Sequence, residues 1–283
     1  MLDTDFERVA LPLANQFTIS RGTQETAENV VVRISDDSGT TGVGAAAPSP
    51  HYGESAATVE AVLPDLLSVV ESVGDPHARQ RIERDRNGVI ADNPAAHAAV
   101  DIALHDLAAK RLGVPLYRQW GLDPDAAPKT SFTIGLAPTD RMRKKAAAAA
   151  DAGHDVLKIK LGTDRDREIV AAVREAAPEA RLRVDANEAW TPKEAVRRIG
   201  ALEAHGVEFV EQPVPAENPE GLRYVYERSP LPIAADESCV TRSDVPAVAD
   251  RVDIVNVKLM KCGGLGPARR LLHAARAHGL DVM

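Results

Sequence analysis

Three features of this sequence predict an α/β protein: an N-terminal α+β region followed by a (β/α) barrel. A βα pattern repeats at about 25 residues after Lys129. Carboxylates and lysines stand at the ends of the repeated apolar runs. No Gly-rich phosphate fingerprint follows any of those runs, which favours the barrel over a doubly wound nucleotide-binding sheet.

Before the repeat, Val30-Val31-Val32-Arg33-Ile34 has strand character. Asp36-Asp37-Ser38-Gly39 is turn chemistry, and Thr40 to Gly44 is expected to return as the hairpin partner. Glu54 to Val73 is apolar at helical spacing, with a kink or break expected at Pro64. Ala95 to Leu112 is an Ala-rich helix closed by Gly113 and Pro115. His105 within it is expected to be structural. Leu122 to Lys129, with two prolines and two aspartates, is expected to link domains spanning 1–122 and 128–283.

The barrel strands are expected at Ser131–Gly135, Val156–Lys160, Leu182–Asp185, Val207–Glu211, Ile233–Asp236 and Ile254–Leu259. The helix opening at Thr191 is the best marked: Thr191 as N-cap, Pro192 at the first position, Glu194 closing a capping box and Gly206 ending it. Run ends fall at 160, 185, 211, 236 and 258. Leu280 to Met283 opens a seventh strand. Eight strands need roughly 50 residues more, so the barrel is expected to be C-terminally incomplete, truncated near strand 7. Gly263-Gly264 is expected to serve a tight βα turn.

Composition narrows the class. The 283 residues carry 42 acidic and 34 basic side chains, a net charge of −8 that argues against nucleic acid or anionic membranes as partners. Hydrophobic residues make up 44% and charged residues 27%, so neither disorder nor a collagen-like chain is expected. No apolar run is long enough to span a bilayer, and the acidic N-terminus lacks a signal-peptide core. Cys239 and Cys262 form neither a disulfide framework nor a zinc pattern, and a cytoplasmic setting is expected. Lysine is scarce, nine against 25 arginines, yet Lys158, Lys160, Lys258 and Lys261 fall in two short apolar segments.

Barrel chemistry sits at the C-terminal ends of strands. There, three successive strands deliver Asp185, Glu211 and Asp236, flanked by strands delivering Lys158-Ile159-Lys160 on one side and Lys258 on the other. Three converging carboxylates repel one another unless a cation lies among them, and an all-oxygen set suits one Mg2+, with Mn2+ as a stand-in. Lys160 and Lys258 would then flank that ion. Strand alternation puts Lys158 on the face of Lys160, where a neighbouring ammonium is expected to lower a lysine pKa. A divalent ion with a tuned lysine is apparatus for removing a proton α to a carboxylate. Bases on both faces permit racemisation or epimerisation; one active base permits elimination instead.

The stretches Thr130-Ser131-Phe132-Thr133-Ile134-Gly135, Leu157-Lys158-Ile159-Lys160, Val184-Asp185-Ala186-Asn187, Glu211-Gln212-Pro213, Ala235-Asp236-Glu237-Ser238 and Asn256-Val257-Lys258-Leu259-Met260-Lys261-Cys262-Gly263-Gly264 resemble the enolase superfamily. So does Asp101-Ile102-Ala103-Leu104-His105-Asp106. Within the muconate-cycloisomerase-like subgroup the chain most resembles the dipeptide epimerases. The resemblance implies a capping domain and a modified (β/α)7β barrel, with Mg2+ on Asp185, Glu211 and Asp236. It also implies Lys160 and Lys258 as the acid/base pair, Lys158 as their electrostatic neighbour, and Asn187 and Gln212 orienting the ligands. Thr133 and Arg21 take substrate-contacting positions, Arg21 gripping a substrate carboxylate. Further site residues, an Asp-x-Asp element among them, are expected beyond Met283.

The expected activity is therefore Mg2+-dependent epimerisation of an L-Ala-D/L-Glu-like dipeptide, with a small-molecule partner and a homo-oligomer allowed. The same apparatus also suits cycloisomerisation, o-succinylbenzoate synthesis or N-acylamino-acid racemisation, and a truncated chain could be inactive.

Overall fold

The computed structural model describes residues 1–283. It divides into two compact units. The first comprises Met1–Pro12, Thr26–Ala127 and Val257–Leu272; the second comprises Leu13–Glu25, Pro128–Asn256 and His273–Met283. No helix is long and apolar enough to cross a membrane.

Three strands, β1 (Leu2–Ile19), β2 (Gly22–Asp36) and β3 (Thr41–Ala46), form one sheet in that order. β2 and β3 are antiparallel, with Val30 opposite Ala46 and Ser35 opposite Thr41. Asp36 closes the turn between them, its Oδ1 accepting the N–H groups of Ser38 (2.9 Å) and Thr40 (3.1 Å). Alternation puts Val30, Val32 and Ile34 on one face, where they join a core built from α1 (Ala56–Val73), α2 (Arg79–Val89) and α3 (Pro94–Arg111). α3 lies very close to β3. A Cβ on Gly44 would stand 2.0 Å from the Ala99 carbonyl oxygen, so only glycine fits there.

Two of these elements had no sequence signal, and one expected break is absent. β1, called by no period signal, runs for 18 residues. α2 buries only Ile82 and Arg86, so it shows no apolar stripe in sequence. α1 continues unbroken through Pro64, with Ser55 and Thr58 forming its capping box.

After the short α4 (Leu116–Gln119) the chain enters a parallel sheet of seven strands. These are β4 (Phe132–Ile134), β5 (Val156–Lys160), β6 (Arg181–Asp185), β7 (Val207–Glu211), β8 (Ile233–Ala235), β9 (Ile254–Val255) and β10 (Asp281–Val282). Between them come α5 (Thr139–Asp151), α6 (Asp166–Ala176), α7 (Pro192–Glu203), α8 (Pro219–Tyr226), α9 (Val245–Val248), α10 (Leu259–Cys262) and α11 (Leu265–Ala277). Spatial order follows chain order from β4 to β10 without reversal, as in barrel winding and unlike a doubly wound sheet. At the expected capping box, Glu194 Oε2 accepts the Thr191 N–H at 3.5 Å. The sixth barrel strand is shorter than expected. β9 ends at Val255, and Lys258 is the N-cap of α10, whose turn Gly263 closes at φ +94°.

Candidate active site

Ladder register assembles the second unit's polar centre. Lys160 pairs with Asp185, and Asp185 with Glu211, so the ends of β5, β6 and β7 set three functional groups in one row. Asp236 follows the last residue of β8. Asp185, Glu211 and Asp236 are all fully buried, and each offers an oxygen within 4.8 Å of the others. Thr133 stands opposite Lys158 in the ladder between β4 and β5.

Both lysines of β5 converge on one oxygen. Asp185 Oδ2 lies 2.9 Å from Lys158 Nζ and 2.7 Å from Lys160 Nζ. Lys158 Nζ also lies 2.5 Å from Glu211 Oε2, and Lys160 Nζ donates to Asn187 Oδ1 at 2.9 Å. Burial disfavours ionised Asp185, but the Lys158 and Lys160 ammonium groups outweigh it and hold its pKa below the usual carboxylate range. Burial, and then the charge of Asp185, push the Glu211 carboxyl up to about 7. The depression expected of paired lysines is not what Lys158 shows. Burial lowers its pKa, yet Asp185 and Glu211 outweigh burial and raise it.

The surrounding residues fix these groups. Asn187 N donates to Asp185 Oδ1 at 2.9 Å. Gln212 is fully buried; its Oε1 accepts the N–H groups of Asp236 (2.9 Å) and Ser238 (3.1 Å), while its Nε2 donates to Ser238 Oγ at 2.7 Å. Asn187 (φ 44°), Glu188 (69°) and Gln212 (36°) all have left-handed backbone, unusual outside glycine and clustered at the strand ends that carry the site.

Arg21 makes two ion pairs of 2.7 Å, Nη1 to Glu188 Oε2 and Nη2 to Glu237 Oε1. Burial, then Asp236 and Asp185, push the Glu237 carboxyl up, against Arg21. Lys258 belongs to the first unit, three residues beyond β9. Sequence reasoning assigned no role to Glu188, Glu237 or Asn256. Asn256 Nδ2 donates to Glu211 Oε1 at 2.8 Å; its only signal was a place in the stretch ending at Gly264.

The donor set fits Mg2+. Three fully buried carboxylates share a small volume, and burial and the charge of Asp185 oppose the ionisation of Glu211 even with Lys158 beside it, so negative charge is crowded at this point. Oxygen-only ligation of that kind suits a hard divalent cation.

Residues 141–283 match the Enolase C-terminal domain-like family, and residues 2–121 match the Mandelate racemase / muconate lactonizing enzyme N-terminal domain. The L-Ala-D/L-Glu epimerase of Bacteroides thetaiotaomicron is 38% identical over 275 residues, covering 96% of this chain and 70% of that protein. The dipeptide epimerase of Enterococcus faecalis, solved with Mg and L-Leu-L-Tyr, superposes with a TM-score of 0.91 at 35% identity, covering 99% of this chain and 80% of that one. The substrate-liganded L-Ala-D/L-Glu epimerase of Bacillus subtilis gives a TM-score of 0.92 at 33% identity, with 99% and 80% covered. With both domains matched and the carboxylate and lysine row at the strand ends, this chain belongs to the enolase superfamily.

Proposed function

We propose that this chain is an Mg2+-dependent dipeptide epimerase acting on L-Ala-D/L-Glu-like substrates by two-base proton transfer at the α-carbon. The observation that carries this is the row of Lys160, Asp185 and Glu211, with a basic nitrogen beside a fully buried carboxylate set. Asp185, Glu211 and Asp236 would hold the ion. When bound, it supplies Lewis-acid stabilisation of the substrate carboxylate as charge grows on it.

Lys160 takes the α-proton on one face, leaving the electron pair delocalised into the substrate carboxylate. Lys258, just past the sixth strand, returns a proton to the opposite face. The reverse reaction exchanges the two roles. Asn187 holds the Lys160 ammonium through Oδ1, and Gln212 holds Asp236 and Ser238 in register. Lys158 supplies positive charge beside Asp185 and Glu211. Thr133 and Arg21 contact substrate, where an incoming carboxylate competes with Glu188 and Glu237 for Arg21.

The proposal extends to domains at 1–122 and 128–283, a small-molecule partner and a cytoplasmic setting, supported by the acidic net charge and two free cysteines. Mass spectrometry of deuterium uptake from D2O across a dipeptide panel tests it. Uptake at the α-carbon with inversion is expected; no uptake from any dipeptide in Mg2+ overturns it.

A further inference from the structure

Lys258 opens a hydrogen-bonded turn that ends on α3. Its carbonyl accepts the N–H groups of Lys261 (3.0 Å) and Cys262 (3.1 Å), and the Leu259 carbonyl accepts those of Gly263 and Gly264 (3.0 Å each). Gly263 (φ +94°) and Gly264 (φ +119°) then redirect the chain in a conformation that suits glycine. At the end of the turn, Gly266 N donates to Asp101 Oδ2 at 3.1 Å. Gly264 lies against the same side chain: a Cβ there would stand 2.5 Å from Asp101 Oδ2 and 2.6 Å from Asp101 Cβ.

Asp101 is a firm anchor. It is buried at 3% exposure on a helix that is itself buried nearly throughout. His105 Nδ1 lies 2.8 Å from the Asp101 carbonyl oxygen and 3.3 Å from Oδ2. Burial opposes its ionisation, but His105, the Gly266 N–H and the charge of Arg86 outweigh burial and hold its pKa below the usual carboxylate range. So buried a carboxylate, committed to a backbone N–H in a glycine turn, does more than complete the α3 core.

We propose that Asp101 is a positioning residue for Lys258, acting through the Gly264–Gly266 backbone to hold the turn that begins at that lysine. This rests on the two-lysine proposal above. Asp101 touches no reacting atom; it sets where the Lys258 stem starts. A base displaced by about 1 Å loses up to about 10²-fold in rate, which makes such an anchor kinetically visible.

The test uses D101A and G264A, with K258A as reference, all in the full chain with Mg2+. G264A keeps the Asp101 charge and its contact with His105, and displaces the turn by a Cβ; if D101A fails to fold, G264A carries the same test. K258A identifies the diastereomer whose α-proton still exchanges with retention by way of Lys160. D101A and G264A are expected to reproduce that pattern. Inversion falls about 10–10²-fold, whereas the exchange that K258A spares stays within about threefold of wild type. Amide hydrogen exchange over residues 257–266 is expected to quicken in D101A. Parallel loss of retention and inversion marks a merely structural role and overturns the proposal, as does unchanged inversion in both variants. Unaltered amide exchange over 257–266 overturns it without reference to activity. A wild type that exchanges no dipeptide overturns the epimerase function itself.

Discussion

Arg21 carries two competing demands, and the balance between them is measurable. Its guanidinium already meets Glu188 and Glu237, so a substrate carboxylate gains one charge-assisted partner only by sharing it. Such bonds contribute about 1.5–3 kcal/mol, so R21M is expected to lower kcat/KM for an acidic dipeptide by about 10–100-fold, mainly through KM, and to affect a neutral one less. Equal losses on both substrates count against carboxylate recognition. His97 makes a different point at the same scale. It is buried on α3, its Nε2 lies 3.3 Å from the Ile90 carbonyl oxygen, and Nδ1 has no hydrogen-bond partner. Burial, then the Arg86 charge, lower its pKa from 6.5 to about 4. Below pH 6.5 the unfolded chain takes up a proton that the folded chain refuses. Stability is therefore full above that pH and declines as pH falls towards 4, by about 3 kcal/mol in all. Urea unfolding at several pH values should show H97Q with a flatter stability curve than wild type between pH 6.5 and 4. A wild-type slope retained in H97Q excludes His97 as its source. The strand-end residues were legible because residue type and position coincide there, whereas Glu237 was hidden: an acid next to Asp236 reveals its ion pair only when Arg21 is brought to it.

Elements were legible where burial imposes a period. β5 and β7 match their expected bounds because apolar runs of that length end in a functional residue. β1 escaped because most of its residues are exposed or half-buried, so alternation is weak. α2 escaped because Ile82 and Arg86 alone are buried, and one of them is charged. The sixth strand was overread because Val257 and Leu259 flank Lys258 with the alternation of a strand, and only the Gly263 cap decides that the chain turns into a helix there. Pro64 was expected to kink or break α1, and the helix runs on through it. Capping by Ser55 and burial of Val59, Leu63, Leu66, Leu67 and Val70 hold the helix through it. The proline still leaves the Glu60 carbonyl without its helical donor, and its side chain is exposed, so nothing in the core depends on it. P64A is expected to stabilise the chain by about 1–3 kcal/mol, less the restriction that proline places on the unfolded chain. Chemical denaturation would show this as a higher midpoint with unchanged slope; a lower midpoint means that the ring makes a contact the helix needs.

At the scale of the whole molecule, one repeat accounts for both the architecture and the site. Consecutive βα units lay parallel strands side by side, and a repeat near 25 residues brings the same strand position to the same end of the sheet each time. That is why a list of run ends in the sequence already contained Asp185, Glu211 and Asp236. What the repeat does not encode is the electrostatic cost of the result. Three fully buried carboxylates crowd together, and the Glu211 carboxyl is pushed up to about 7 because burial and Asp185 oppose its charge. A divalent cation relieves that repulsion only in the folded state, since the three ligands come from separate strands. Mg2+ should therefore stabilise by mass action, about 2.7 kcal/mol at a hundredfold excess over Kd, a rise of several degrees in Tm. EDTA should reverse it. D236N should fold yet show a much smaller response, because one ligand charge is gone while Asp185 keeps its lysines. Thermal melts with Mg2+, EDTA and Ca2+ distinguish the cases. A Tm that ignores Mg2+ in the wild type, or rises equally in D236N, separates the carboxylate cluster from metal binding.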